Sequence, residues 1–226
     1  MTTTELIELG LLLGIILLLV ISQGLISYAY SKYSKEAASL ELTGLTVVEN
    51  MLSKNGINDV RIGKTKGTLD DHYNSKTKVI NLSHNSYETN TIAAIAVAAH
   101  ETGHAIQDHT NYSMLRLRKF LGPITAFCSR FVWITIFIGV ILQFFDLILL
   151  GLILMAVTVL FQVITLPVEF DASRRAVKYL ETVGYDSYTM NGIKKMLMAA
   201  AFTYIASTLA SLMQLLRLVL NFTRRD

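Results

Sequence analysis

Apolar positions in this chain fall into long runs, separated by two stretches of ordinary polar sequence. Leu6 to Tyr30 is nearly unbroken apolar sequence, long enough for a helix to cross a bilayer core of about 30 Å. No basic residue precedes it and no clear small-residue cleavage site follows, so it reads as a retained anchor and not a removed signal peptide. A second run covers roughly Phe120 to Phe145 and a third Leu147 to Leu166, with only Asp146 between them. That pattern predicts a membrane hairpin with a very short turn. The last run, Ala199 to Leu220, is long enough to cross but is rich in Ala, Ser and Thr and includes Gln214 and Arg217. Small residues of this kind favour close packing between membrane helices. The expectation is three or four transmembrane helices.

The polar stretch between the anchor and the hairpin changes period several times. From Ser31 to about Leu52 the apolar spacing is helical, and Ser53 to Gly56 read as its stop. "DVRIGK" from Asp59 and "KTKVINLS" from Lys76 to Ser83 alternate as half-buried strands do, with "YNSK" supplying turn residues before the second. The segment from Tyr87 to about Asp108 then reads as one helix, capped near Thr89 or Asn90. The predicted order is helix, short sheet, helix. A second polar stretch opens with "LPVEFDASRRA", where Pro167 and Val168 predict a new helix carrying Glu169 and Asp171 in its first turn.

Composition agrees with the pattern. Hydrophobic residues make up 52% and charged residues 16% of 226, and the mean hydropathy is +0.46, too high for an ordinary soluble domain. The net charge of +3 does not point to nucleic acid, because the basic residues lie beside apolar runs, where lipid headgroups account for them. Lys32, Lys35, Arg116, Arg118 and Lys119 flank the first polar stretch, and Arg174, Arg175 and Lys178 follow the hairpin. The positive-inside rule therefore predicts a multi-pass protein of the cell membrane with both polar stretches in the cytoplasm. Arg224 and Arg225 run against this orientation if the last helix crosses. Arg130, inside the second run, reads as an anchor snorkelling to the interface. Cys128, the single cysteine, excludes an intrachain disulfide and reads as a packing residue.

Candidate chemistry sits on the helix of the first polar stretch, in "AVAAHETGHAIQDH", Ala96 to His109. Residues four apart share a helical face, so His100 and His104 can grip one ion. Glu101 lies about 100° round the axis, off the metal but near a water held there, and is the natural general base of a hydrolase. Thr102 and Gly103 are uncharged, and Gly103 would leave space beside the ion. A bare H-E-x-x-H is weak on its own. The alanines and isoleucines around it strengthen it, because burying two histidines and a glutamate without a partner would cost several kcal/mol. Glu169 is the candidate third ligand: two membrane crossings separate it from His104, which returns both to one side. Asp171 is an alternative ligand, or a partner holding a histidine tautomer. His72 and Tyr73 could donate to an oxyanion. His84 and His109 read as surface residues, and Arg174 and Arg175 as facing headgroups or pairing with Asp171.

His100-Glu101-Thr102-Gly103-His104, followed by Val168-Glu169-Phe170-Asp171-Ala172-Ser173, resembles the bacterial neutral zinc metallopeptidase family of membrane proteases. The likeness also takes in "DHYN" at Asp71 to Asn74 and "AAAFTYIASTLASL" from Ala199. It implies a mostly α membrane protein with a small α+β gluzincin-like domain, and Zn2+ held by His100, His104 and Glu169 with Glu101 catalytic. More distantly the chain is similar to prenyl-endopeptidase and heat-shock membrane proteases. Those place an aspartate four residues after the ligand glutamate, where this chain has Ser173. The organisation expected is an anchor at 1–30, a cytosolic catalytic region with the histidine helix at 31–119, a transmembrane hairpin at 120–166, cytosolic helices with the third ligand at 167–198, and a final apolar helix at 199–226. The expected partners are a peptide or membrane-protein substrate and the lipid bilayer; the oligomeric state is open. Two rivals stand beside the endopeptidase: a non-catalytic membrane scaffold with a structural zinc, and an intramembrane protease, for which the run Thr91 to Ile106 is too short to cross comfortably.

Overall fold

The structure is a computed structural model that describes residues 3–67 and 70–223; Arg224 and Arg225 lie outside the described residues. In chain order it contains α1 (Thr3–Tyr33), α2 (Gly44–Lys54), β1 (Arg61–Thr65), β2 (His72–Asn74), β3 (Val79–Ser83), α3 (His84–Glu88), α4 (Ile92–His109), α5 (Ser113–Ile141), α6 (Phe145–Leu180) and α7 (Ser187–Thr223). Among the described residues four helices, α1, α5, α6 and α7, are long and apolar enough to cross a membrane. The chain is a mostly α membrane protein with a small α+β region.

One compact unit is drawn from the described parts of 1–23, 116–166 and 202–226. Its interior is a small cluster of Val132, Ile136 and Met155, with Leu154, Leu215 and Leu218 packed against it. Outside that cluster large apolar side chains stand exposed, among them Leu17 at 60%, Val20 at 64% and Phe137 at 67%. In water such a surface would aggregate; in hydrocarbon it is the stable one. Cys128 is buried and Arg130 is exposed.

The other unit holds 24–115 and 167–201. Three strands form a sheet in the order β1-β3-β2, with β1 parallel and β2 antiparallel to the central β3. Arg61 pairs with Val79 on one side, and His72 pairs with Asn81 on the other. Helix α2 starts at Thr43, whose side chain accepts a hydrogen bond from the Thr46 N–H, and buries Val47, Val48, Met51 and Leu52. It ends at Asn55, and Gly56 takes the positive φ of +66° that the turn requires. Helix α4 starts at Thr91, which caps the Ala94 N–H, and is the centre of this core. Alanine favours the helix and leaves little side chain between it and its neighbours.

Several sequence expectations are corrected. The region Ser31 to Leu52 is not one helix: α1 continues to Tyr33, and an extended segment joins it to α2. That segment is pinned to the start of α4, where Ala38 N–H donates to Asn90 and Ile92 N–H to Glu36. The histidine helix, expected to be capped near Thr89 or Asn90, is capped by Thr91 and begins at Ile92, while Tyr87 belongs to the separate short α3. "YNSK" is only half turn, since Tyr73 and Asn74 belong to β2. Pro167 does not start a helix but lies within α6. Its missing N–H costs one backbone bond. Continuity is held by burial of Val168, Ala172, Ala176 and Leu180, one helical face that is fully enclosed.

Gly103 also plays a different part from the one expected. A Cβ there would meet the Ala172 carbonyl oxygen at 2.5 Å, so the glycine admits the α6 backbone and does not make room for an ion. Gly103→Ala should therefore lower stability by about 1–3 kcal/mol, the usual cost of overpacking. Gly10→Ala, with open space at its Cβ, should be neutral or slightly stabilising. Thermal unfolding of both variants in detergent checks the contrast.

Candidate metal centre

His100 and His104 project from one face of α4, with ring centroids 4.8 Å apart. Glu169 comes from α6, one residue past the buried Val168, and is only 2% exposed. Its Oε2 lies 3.3 Å from His100 Nε2 and 3.5 Å from His104 Nε2. Ligand atoms of all three lie within 4.8 Å of one another. Those separations are long for a charge-assisted hydrogen bond, which runs at about 2.7–2.9 Å. The two distances to Glu169 match the edge of a tetrahedron around zinc, about 3.3–3.4 Å for bonds of about 2.0–2.1 Å. Two imidazole nitrogens and one carboxylate oxygen also form a donor set that zinc accepts, with room left for a fourth ligand.

The other ring nitrogens are held from behind. His104 Nδ1 donates to Gln107 Oε1 at 3.0 Å, and His100 Nδ1 is hydrogen-bonded to Ser173 Oγ at 3.1 Å. The Gln107 assignment follows from its other partners. Its Nε2 donates to the Val168 carbonyl at 2.7 Å and to Asp171 Oδ2 at 3.0 Å, both of which can only accept. Oε1 is thereby left for the imidazole, whose Nδ1 carries a proton and whose Nε2 faces Glu169. Gln107 is fully buried. Neither it nor Ser173 stood out in the sequence as a histidine partner. The signal available was spacing: Gln107 lies one turn beyond His104, and Ser173 one turn beyond Glu169.

Asp171 is near the cluster without joining it. Arg174 takes Oδ1, while Arg175 Nε donates to Oδ2 at 2.6 Å beside Gln107. It therefore acts on His104 through Gln107, as a partner's partner. Glu101 is buried, and its Oε2 accepts the Tyr73 N–H at 2.8 Å. Burial pushes its carboxyl above the ordinary glutamate range; the nearby imidazoles pull the other way, and Glu169 reinforces the rise. Tyr73 hydroxyl donates to Asp108 at 2.8 Å. Burial, and next the Asp108 carboxylate, hold it above the usual tyrosine range, so it stays a neutral donor. Both nitrogens of His72 are engaged, with the Asp70 carbonyl at 2.8 Å and the Asn81 amide at 3.1 Å. His109 is exposed, and His84 is exposed beside Glu88.

A family described as "Putative neutral zinc metallopeptidase" matches residues 9–223. The chain belongs to this family. Zinc is accordingly the cofactor of this metallopeptidase-family chain, and the three side chains above fit it. The chain is 42% identical over 194 residues to the "Putative membrane protease YugP" of Bacillus subtilis (strain 168), covering 85% of this chain and 86% of that relative. No solved structure matches. For the zinc metallopeptidase fold, the Gln107 contact yields a direct expectation. Gln107→Leu should weaken zinc binding about 10–100-fold, as loss of a ligand's hydrogen-bond partner does. Competition with a chelator measures it, with circular dichroism as the check on folding.

Proposed function

We propose that the protein is a membrane-anchored zinc endopeptidase that cleaves peptide or membrane-protein substrates at the cytosolic membrane surface. The reading is carried by one observation: Glu169 meets both imidazoles at distances that fit the edge of a zinc tetrahedron, and Glu101 follows His100 on the same helix. His100, His104 and Glu169 hold the ion, and Glu101 is the catalytic base. Bound zinc supplies an acidified water and a polarised scissile carbonyl. Glu101 takes the proton of the attacking water and returns it to the leaving amine, while its buried setting keeps bulk water from competing for that proton.

Substrate placement follows from the sheet. The central strand β3 is paired on both sides, so no peptide can add to it. Of the two edge strands, β1 and β2, it is β2 that borders Glu101. Tyr73 N–H points away from β3, toward Glu101, and in an antiparallel pair the carbonyl of the same residue points that way too. An extended peptide laid along β2 would bond to Tyr73 and release Glu101 for its proton transfer. In this assignment 31–119 and 167–198 form the cytosolic catalytic part, and 1–30, 120–166 and 199–226 form the membrane part.

Purified in detergent, the wild type should carry stoichiometric zinc and cleave an unfolded protein substrate. Glu101→Gln should keep the zinc and lose at least about 10²-fold in rate. Cleavage undiminished by that substitution sinks the proposal. Zinc retained in a wild type that cleaves nothing would favour the structural-zinc scaffold. Orientation has its own measurement. Gln107 is too buried to report on access, whereas His109 is exposed. In a Cys128→Ser background, His109→Cys should react with an impermeant thiol reagent in inverted membrane vesicles and not in intact cells. The opposite pattern places the site outside.

A further inference from the structure

On the far side of Asp171 from Gln107, the α+β unit carries a cleft of about 640 Å³. Lys54 of α2 and Arg174, Arg175 and Lys178 of α6 line it, against Asp171 as its single carboxylate. Both oxygens of Asp171 are already occupied, by Arg174 on one side and by Arg175 and Gln107 on the other. The carboxylate is 5% exposed, so it works from within the wall. It fixes the direction of two guanidiniums and leaves Lys54 and Lys178 un-neutralised. Among the described residues neither lysine makes an ion pair; Lys54 Nζ donates to Thr182 Oγ1 at 2.8 Å and lies 5.4 Å from the Tyr179 ring centre.

Four cations gathered around one cavity repel each other unless something negative enters. Each guanidinium has five N–H donors, and Asp171 uses only part of that set. Pre-oriented arginines backed by a buried carboxylate suit the tetrahedral oxygens of phosphate better than a lone surface charge does. The volume exceeds what a simple ion needs and falls in the range of small-molecule sites. Met51 and Ile106 add an apolar wall. Arg174 follows Leu166, the end of an apolar run, by eight positions in the sequence. Basic residues so near a membrane segment meet the anionic leaflet.

We propose that this cleft binds a phosphate ester, namely the headgroup of an anionic phospholipid. None of its four cations is a candidate metal ligand, so the proposal stands or falls independently of the peptidase reading. The test uses the full chain in a neutral detergent, titrated with dioctanoyl phosphatidylglycerol, dioctanoyl phosphatidylcholine and inorganic phosphate. Thermal unfolding follows the binding. Saturable stabilisation by phosphatidylglycerol and not by phosphatidylcholine is expected, weakened at least tenfold in the Lys54→Gln/Lys178→Gln double variant. Both lysines are exposed, and unchanged circular dichroism and zinc content confirm that the variant folds. Inorganic phosphate binding as tightly as the lipid would keep the phosphate site and overturn the lipid as its occupant. No saturable binding by either, or equal binding by the double variant, overturns the proposal altogether.

Discussion

The meeting of one α6 carboxylate with two α4 imidazoles is the constraint around which the α+β unit is organised. A carboxylate removed from water loses solvation worth several kcal/mol, and it is tolerated only beside a compensating charge or donor. Glu169 has that compensation only while the two helices keep it close to both imidazoles, 3.3 and 3.5 Å away. The alanines of α4, the bare backbone at Gly103 and the enclosed α6 face of Val168, Ala172, Ala176 and Leu180 all serve that approach. Packing here is the means of holding electrostatics in range.

Support from behind the histidines is neutral. An amide holds His104 and a hydroxyl holds His100, where many metal centres use a carboxylate. Neutral partners orient a ring and fix its proton while raising its basicity less than an anion would. The anionic character is kept one bond further out, at Asp171, and is shared there with two arginines. Gln107 is the junction, since the same amide grips a carbonyl of α6, the Asp171 carboxylate and the imidazole. One side chain therefore takes part both in orienting the candidate ligand and in docking the two helices.

Much of this was legible in the sequence, for physical reasons that differ by element. Long apolar runs announce membrane helices because bilayer thickness fixes their length, and the histidine pair announces its shared face because helical periodicity fixes its geometry. Glu169 was readable from its motif and from the even number of crossings that separates it from His104. Pro167 misled, because a local rule about helix starts yielded to burial of a long α6 face. Strand β2 was hidden because three residues are too few to show alternation. Gly103 was taken as a space for an ion, since a sequence cannot show which neighbour a missing side chain admits. Ser173 was unreadable as a partner of His100 because that contact spans 73 positions of chain, and Gln107, only three positions from His104, because the orientation of its amide is set by acceptors 61 and 64 positions away.

The shortness of β2 has a consequence for how such a protein would select what it acts on. Three residues expose very little main chain, so this rim can recognise an extended segment but hardly its sequence, and its grip is weak. Strength of capture must then come from somewhere other than the groove. In the proposed reading, residence in the same sheet of lipid would supply it: two molecules confined to a surface meet at a local concentration far above their bulk value. Proximity in two dimensions, more than fit, would decide which chains are cut.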